Sequence, residues 1–387
     1  MLWQHYVFRR GPDVHELWDR LFETRPVRLL YIAGRGFDIR AQTVMNAFVR
    51  SLGTRRRIER GELLLIGFTG YRLSDEMHAL TEENANALRS MFADLGPSQM
   101  VSIGSSAEGE DDISASNALR LGTETVLSHV TDQTDIVLDV SSLPRVAYLA
   151  LMTALLHRLV PKKHSTPHPL AANGVNLQIL VAEDASIDAH IRAEDPSNDL
   201  ILIPGYSSAL YAESMQDWPL VWFPILGENR VSQLQKVMST AGISASAEIC
   251  PVLPHPSRDP RRADNLLVEY RGPLFDSRQT PTANILYAHE SNPFEAYRQL
   301  LGAMDRYRAS MTIIGGCRLV VTPLGSKLIT LGAGLACFEA RPSDPEANYG
   351  VAIPHAEPTR YIASVNTLRR SKPEISALLL TGDAYAP

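Results

Sequence analysis

Gly34-Arg35-Gly36-Phe37-Asp38 follows an apolar, β-branched run and precedes the helix-like segment 41–49. A turn in that position could seat a phosphate: glycines let the backbone approach a ligand, and a helix start offers unpaired N–H groups. The third glycine of the dinucleotide fingerprint is missing, because Ile39 stands there. A tight strand-to-helix turn with Asp38 as its cap explains the same residues. Asp139-Val140-Ser141-Ser142-Leu143-Pro144-Arg145 closes a second apolar run and opens an apolar helix. Two hydroxyls and an arginine at such a junction make an oxyanion seat, or else a helix cap with a surface ion pair. Asp139 itself, ending a strand buried on both faces, needs a metal, a ligand or a partner side chain, since an uncompensated buried carboxylate is costly.

Ser257-Arg258-Asp259-Pro260-Arg261-Arg262 gathers three guanidinium groups in one loop, a group suited to planar recognition of phosphate or carboxylate. Gly325-Ser326-Lys327 ends another strand and could hold a phosphate through its amides and ammonium, but the full spacing of a Walker loop is absent, which excludes a P-loop ATPase. Asp38, Asp139, Glu183 and Glu228 stand at strand ends. Gathered together they would bind magnesium, because hard cations take carboxylate oxygens; dispersed, they cap helices. His255, His289 and His355 occupy similar positions, where a general base would sit. No His spacing supports zinc, and no Gly-x-Ser-x-Gly elbow marks an α/β hydrolase. The acidic stretch Glu108 to Asp112 reads as a solvated helix start, and the arginines between Ser51 and Arg60 as a solvated turn partly neutralised by Glu59 and Glu62.

The elements that must position these residues repeat one pattern. Apolar runs at 27–33, 62–68, 99–103, 135–140, 177–184, 220–226, 283–288 and 317–324 lack alternation, as strands covered on both faces do. Helical stripes follow several of them, including Phe294, Tyr297, Leu301, Met304 and Tyr307, and Leu328, Leu331, Leu335 and Phe338. The expected fold is α/β: a mainly parallel, Rossmann-like sheet with helices on both faces. Residues 161–174, rich in Pro, Lys and His and without an apolar period, are the candidate linker, so the chain is expected to form either one large α/β unit or two lobes at 1–160 and 175–387. Ligands of such sheets sit beyond the carboxyl ends of the strands.

Composition bounds the partners. The 387 residues are 45% hydrophobic and 21% charged with a net charge of -6, ordinary for a soluble protein and opposed to general coating of nucleic acid, so any nucleic-acid contact would be local. Cys250, Cys317 and Cys337 form no Cys-x-x-Cys pair and read as buried thiols in a reducing cytoplasm. No segment reaches the roughly 20 apolar residues of a membrane span.

Leu30 to Phe48, LYIAGRGFDIRAQTVMNAF, resembles the strand and GNGFD signature that opens the AbiH family of phage abortive-infection proteins, with Arg35 in place of Asn. The likeness covers Gly34, Gly36, Phe37 and Asp38 and implies a component of bacterial anti-phage defence. Taken together, the expectation is binding of a phosphorylated small molecule, with a nucleotide foremost, acting as a sensor or effector and engaging a protein partner. Gly34, Arg35, Gly36, Ser141, Ser142, Arg145, Arg258, Arg261, Ser326 and Lys327 would hold it. The alternatives are a metal-dependent hydrolase of nucleotides or nucleic acid, using Asp38, Asp139 and Glu183 with magnesium, and a scaffold subunit of a protein complex.

Overall fold

The computed structural model describes residues 1–23, 25–52, 58–69, 71–104, 114–161, 166–184, 187, 190–344 and 346–386. The acidic stretch 108–112 and the arginines at 55–57 lie outside them. The chain is α/β, and its contacts divide it into two compact units, one of residues 2–192 with 360–387, the other of residues 193–359 with Met1. The crossings fall within strands β7 (Arg192–Pro196) and β15 (Pro358–Ile362).

The larger unit holds a seven-stranded sheet. Its strands are β1 (Val7–Arg10), β2 (Val27–Arg35), β3 (Ile58–Phe68), β4 (Ser98–Ile103), β5 (Asp135–Asp139), β6 (Asn176–Glu183) and β16 (Glu374–Thr381). They lie in the order β1-β16-β6-β5-β2-β3-β4. The five from β6 to β4 are parallel, and β16 and β1 extend the sheet antiparallel at one edge. The helices are α1 (Asp13–Phe22), α2 (Arg40–Leu52), α3 (Asp75–Phe92), α4 (Ala115–Ser128) and α5 (Arg145–Leu159). In α5 eleven of fifteen residues are buried, so an apolar surface on all sides replaces the one-sided stripe of a surface helix. On the opposite side Trp18, Phe22, Tyr31, Phe48 and Phe92 are buried, with Trp18, Phe22 and Tyr31 meeting Phe48 edge to face.

Residues 161–174 do not separate lobes. Strand β6, which follows them, pairs in parallel with β5, which precedes α5, so the segment is a connection inside one sheet. Its proline content marks a non-repetitive link and cannot tell a link within a sheet from one between domains. The unit boundaries fall instead at 192–193 and 359–360.

The smaller unit has its own sheet, ordered β12-β11-β9-β13-β14-β8, with β10 (Glu248–Ile249) against β9. Here β9 (Leu220–Ile225), β11 (Val252–Pro254), β12 (Leu286–Ala288), β13 (Cys317–Pro323) and β14 (Tyr349–His355) are parallel, and β8 (Ile201–Ser207) is antiparallel to β14. Its longer helices are α6 (Val231–Thr240), α7 (Arg262–Glu269), α8 (Pro293–Met311) and α9 (Lys327–Ala340). The stripe expected on α9 is wider than a stripe, since twelve of its fourteen residues are buried.

Strand order reverses once in each sheet. In the larger unit β2, β3 and β4 step outward in one direction, and the chain then returns to lay β5 and β6 on the other side of β2. In the smaller unit the reversal falls between β9 and β13. Loops leaving adjacent strands at such a point diverge, which opens a crevice at the carboxyl ends.

Candidate functional site

The reversal in the larger unit falls between the two segments singled out in the sequence. Ala33 pairs with Asp139, so the turn 34–38 and the turn 140–144 leave the sheet side by side. The crevice between them is filled by protein. The Ser142 hydroxyl donates to the Gly34 carbonyl oxygen over 2.7 Å. A Cβ on Gly34 would stand 2.8 Å from the Ser142 carbonyl group, and one on Gly36 would stand 2.7 Å from the same oxygen. The close approach these glycines permit is therefore made to the neighbouring turn. Ser141, fully buried, accepts from the Ala182 N–H over 2.9 Å and ties the turn to β6.

The acids are committed in the same way. Asp38 accepts from Arg40 Nε and Nη2 over 2.8 and 2.6 Å, and from the Arg40 N–H over 3.1 Å. It thus caps α2 and neutralises a buried arginine together. Asp139, fully buried, accepts from the Tyr31 hydroxyl over 3.1 Å and from the Ser141 N–H over 2.9 Å. Burial first, and then the Asp139 charge, push the Tyr31 phenol well above its ordinary range, so it stays protonated as a donor. Glu183 is the last residue of β6, at the carboxyl edge of the sheet and in register with Glu374, and Arg145 is the first residue of α5. Among the described residues no three His, Cys, Asp or Glu side chains gather as a metal site. The magnesium arrangement expected of Asp38, Asp139 and Glu183 is not formed, because Asp38 and Asp139 answer local donors.

What the carboxyl ends of β2 and β3 do present is an aromatic shelf. Phe68 ends β3 and stacks with Tyr71 at 5.2 Å and 29°. Tyr71 meets Tyr361 edge to face at 4.8 Å, and Tyr361 tilts against Phe37 at 5.7 Å. All four rings are half-buried. The backbones there are joined by a parallel bridge between Arg72 and Arg360, both of them exposed residues. Arg35, which ends β2, is hydrogen-bonded to Glu82 of α3. Of these residues the sequence indicated Arg35 and Phe37. Tyr71 and Tyr361 stand 290 positions apart, and only the docking of 360–387 onto this unit brings them together.

Arg258, Arg261, Ser326 and Lys327 belong to the smaller unit, at the ends of its own strands. Arg258 and Arg261 are exposed, and their backbone N–H groups donate to Glu290 and Asp259. Arg262, which the sequence did not favour over its neighbours, is the most engaged of the three. It holds the Glu228 carboxylate with two hydrogen bonds and reaches Glu290 at 3.2 Å. Ser326 caps α9 by accepting from the Ile329 N–H, and Lys327 is the first residue of that helix. His355 ends β14 buried against Glu357, Nε2 to Oε2 3.1 Å.

The architecture defines an α/β protein of two Rossmann-like units. No protein-family model matches the chain, and no curated protein matches it. Among solved structures it is similar to a "putative UDP-N-acetylglucosamine 2-epimerase" from Listeria monocytogenes, at 10% identity over 84% of this chain and 90% of that one, with a TM-score of 0.23. Among the described residues no helix is long and apolar enough to cross a membrane.

Proposed function

We propose that the chain binds a phosphorylated small molecule, a nucleotide foremost, at the carboxyl ends of β2 and β3 in its larger unit. The observation that carries this reading is the aromatic shelf of Phe37, Phe68, Tyr71 and Tyr361, with the exposed Arg72 and Arg360 next to Tyr71 and Tyr361 in the chain. Half-buried rings at strand ends offer flat apolar surface to a base, and stacking on one aromatic ring contributes about 1 to 3 kcal/mol. Paired arginines of like charge raise the local potential and attract phosphate. The turn at Gly34 and Gly36 serves the site indirectly, by fixing Phe37. Recognition is preferred to turnover in this reading, supported by the engagement of Asp38 and Asp139 by Arg40 and Tyr31. The resemblance of residues 30–48 to phage abortive-infection proteins supports a sensor in anti-phage defence that passes ligand binding to a protein partner.

Titration calorimetry with ATP and ADP tests the reading. Binding to the wild-type chain should weaken at least about fivefold in Tyr361→Ala. It should weaken less in Arg360→Ala, with a shallower dependence on salt. Equal affinity in all three proteins, or heat of binding in none, overturns it.

A further inference from the structure

Three consecutive residues of α3 hold two of the segments from which the shelf is built. Glu82 accepts from Arg35 at the end of β2. Glu83 accepts from Arg369 through both oxygens, at 2.9 and 2.5 Å. Asn84, fully buried, donates from its amide nitrogen to the Gly36 carbonyl oxygen at 2.7 Å and to that of Asp38 at 3.3 Å. Those two carbonyls flank Phe37, so one amide fixes the peptide that carries the first ring of the shelf. Arg369 ends the segment that carries the last ring, Tyr361. Between them Leu368 packs on Leu80 and Ile187, with Phe37, Ile39, Ala363 and Val365 around that cluster. Beneath the segment a cavity of about 340 Å³, lined by Glu76, Leu80, Glu83, Val365 and Arg369 among others, remains open. There the Glu83–Arg369 clamp joins the segment to α3.

We infer that Glu83 and Asn84 are positioning residues of the shelf: α3 acts as a bar that sets the distance between Phe37 on one side and Tyr361 on the other. The inference rests on the functional reading above for its consequence in binding, but not for its geometry. A helix is stiff over one turn, and successive positions on it point to different neighbours, so adjacent residues can grip two separate chain segments at once. Neither residue needs to touch the ligand. Loosening either lets one wall of the shelf drift, and a stacking site depends on that spacing.

The test uses the full chain and two readouts. The first is affinity for ATP by calorimetry. The second is the near-ultraviolet circular dichroism contributed by Tyr361, defined as the difference between wild type and Tyr361→Phe, which reports its coupling to Tyr71. Glu83→Ala should weaken ATP binding about threefold, as expected for an exposed clamp, and reduce the Tyr361 signal. The charge-exchanged pair Glu83→Arg with Arg369→Glu should restore both. Asn84→Ala should weaken binding about tenfold, in line with the loss of a buried hydrogen bond. If Asn84→Ala does not fold, the charge exchange on the surface decides alone. Should the wild type bind ATP while Glu83→Ala leaves both affinity and signal unchanged, the positioning role is overturned. Should the wild type bind no nucleotide, the functional reading fails, and the Tyr361 signal still decides the positioning role: reduced in Glu83→Ala and restored by the exchange, it stands; unmoved, it falls.

Discussion

The Ser142 hydroxyl donates to the Gly34 carbonyl oxygen over 2.7 Å across the point where the larger sheet reverses its strand order. Two loops that would be free to diverge around a ligand are thereby stapled together, and glycine is required because backbone meets backbone. Gly34→Ala places a methyl group 2.8 Å from the Ser142 carbonyl carbon and oxygen as well as its hydroxyl. Overpacking of this kind costs about 1 to 3 kcal/mol. Urea denaturation should show that loss in Gly34→Ala and a smaller one, about 1 kcal/mol, in Ser142→Ala. Because two of the three crowded atoms are main chain, adding Ser142→Ala should not rescue Gly34→Ala. A rescued double variant would mean that the staple can move aside and leave room for a ligand.

Buried phenols set the alkaline limit of the fold. Burial pushes Tyr31, Tyr206, Tyr270 and Tyr385 above their ordinary value, and Asp139 adds to the effect on Tyr31. A group whose pKa is raised by folding stabilises the native state below its unfolded value, about 10 for tyrosine, and that contribution is lost as pH rises beyond it. Stability should therefore be flat to about pH 9 and fall steeply above about pH 10. Tyrosinate absorbance of these residues should appear only together with unfolding. Tyr31→Phe should lose about 1 to 3 kcal/mol at neutral pH, since Asp139 forfeits a donor, and should show a shallower alkaline decline. Free titration of all tyrosines before unfolding would contradict the burial.

The smaller unit carries the complementary acid dependence. Burial raises the Glu228 carboxyl, but hydrogen bonding and charge from Arg262 outweigh it and hold the group below the usual carboxylate range. A carboxylate depressed by folding stabilises the native state above its unfolded value, about 4.3, and the contribution disappears as pH falls through the lower folded value. Glu228 is 41% exposed, so solvent screening limits the pair. Arg262→Ala should cost about 1 to 2 kcal/mol at neutral pH. Its unfolding midpoint should change less than that of the wild type between about pH 5 and pH 3. Parallel curves for the two proteins would show that Arg262 does not govern Glu228.

How far the sequence reaches is decided by the range of the interaction involved. Apolar runs without alternation marked β2, β3, β5, β6, β9 and β13, because burial on both faces is written into consecutive residues, whereas β4 and β12 are partly exposed and β14 was not indicated. The run of hydroxyls at Ser141 and Ser142 and the glycines at 34 and 36 were legible as a site of close approach. What approaches them was not, since each turn is the partner of the other: Gly34 meets the hydroxyl and peptide group of Ser142, 108 residues away. Residues 161–174 misplaced the domain boundary, because proline records local backbone restriction and says nothing about which strands pair across it. The shelf was hidden for a third reason. Tyr71, Arg72, Arg360 and Tyr361 are unremarkable in their own neighbourhoods, and they become a site only when the last part of the chain returns to the first unit.

Asp38 separates a recognition role from metal-assisted hydrolysis. Its carboxylate is nearly buried and bound on both oxygens by the Arg40 guanidinium, which is itself buried. Removing one member of such a pair strands the other charge in a poorly solvated place, at a cost of about 3 to 5 kcal/mol. Arg40→Ala should therefore be among the most destabilising single substitutions in the larger unit, and Asp38→Asn should be destabilising as well, because the amide keeps the helix cap but leaves the buried Arg40 charge uncompensated. A carboxylate kept for magnesium behaves in the opposite sense, because its charge is a liability until the ion arrives: Asp38→Asn would then leave the apo protein as stable or more so. Chemical denaturation of Asp38→Asn, with and without magnesium, distinguishes the two. The expected result is a large loss of stability that magnesium neither causes nor relieves, and a wild-type midpoint that magnesium does not shift. A metal-dependent rise in the wild-type midpoint that vanishes in Asp38→Asn would favour the hydrolase instead.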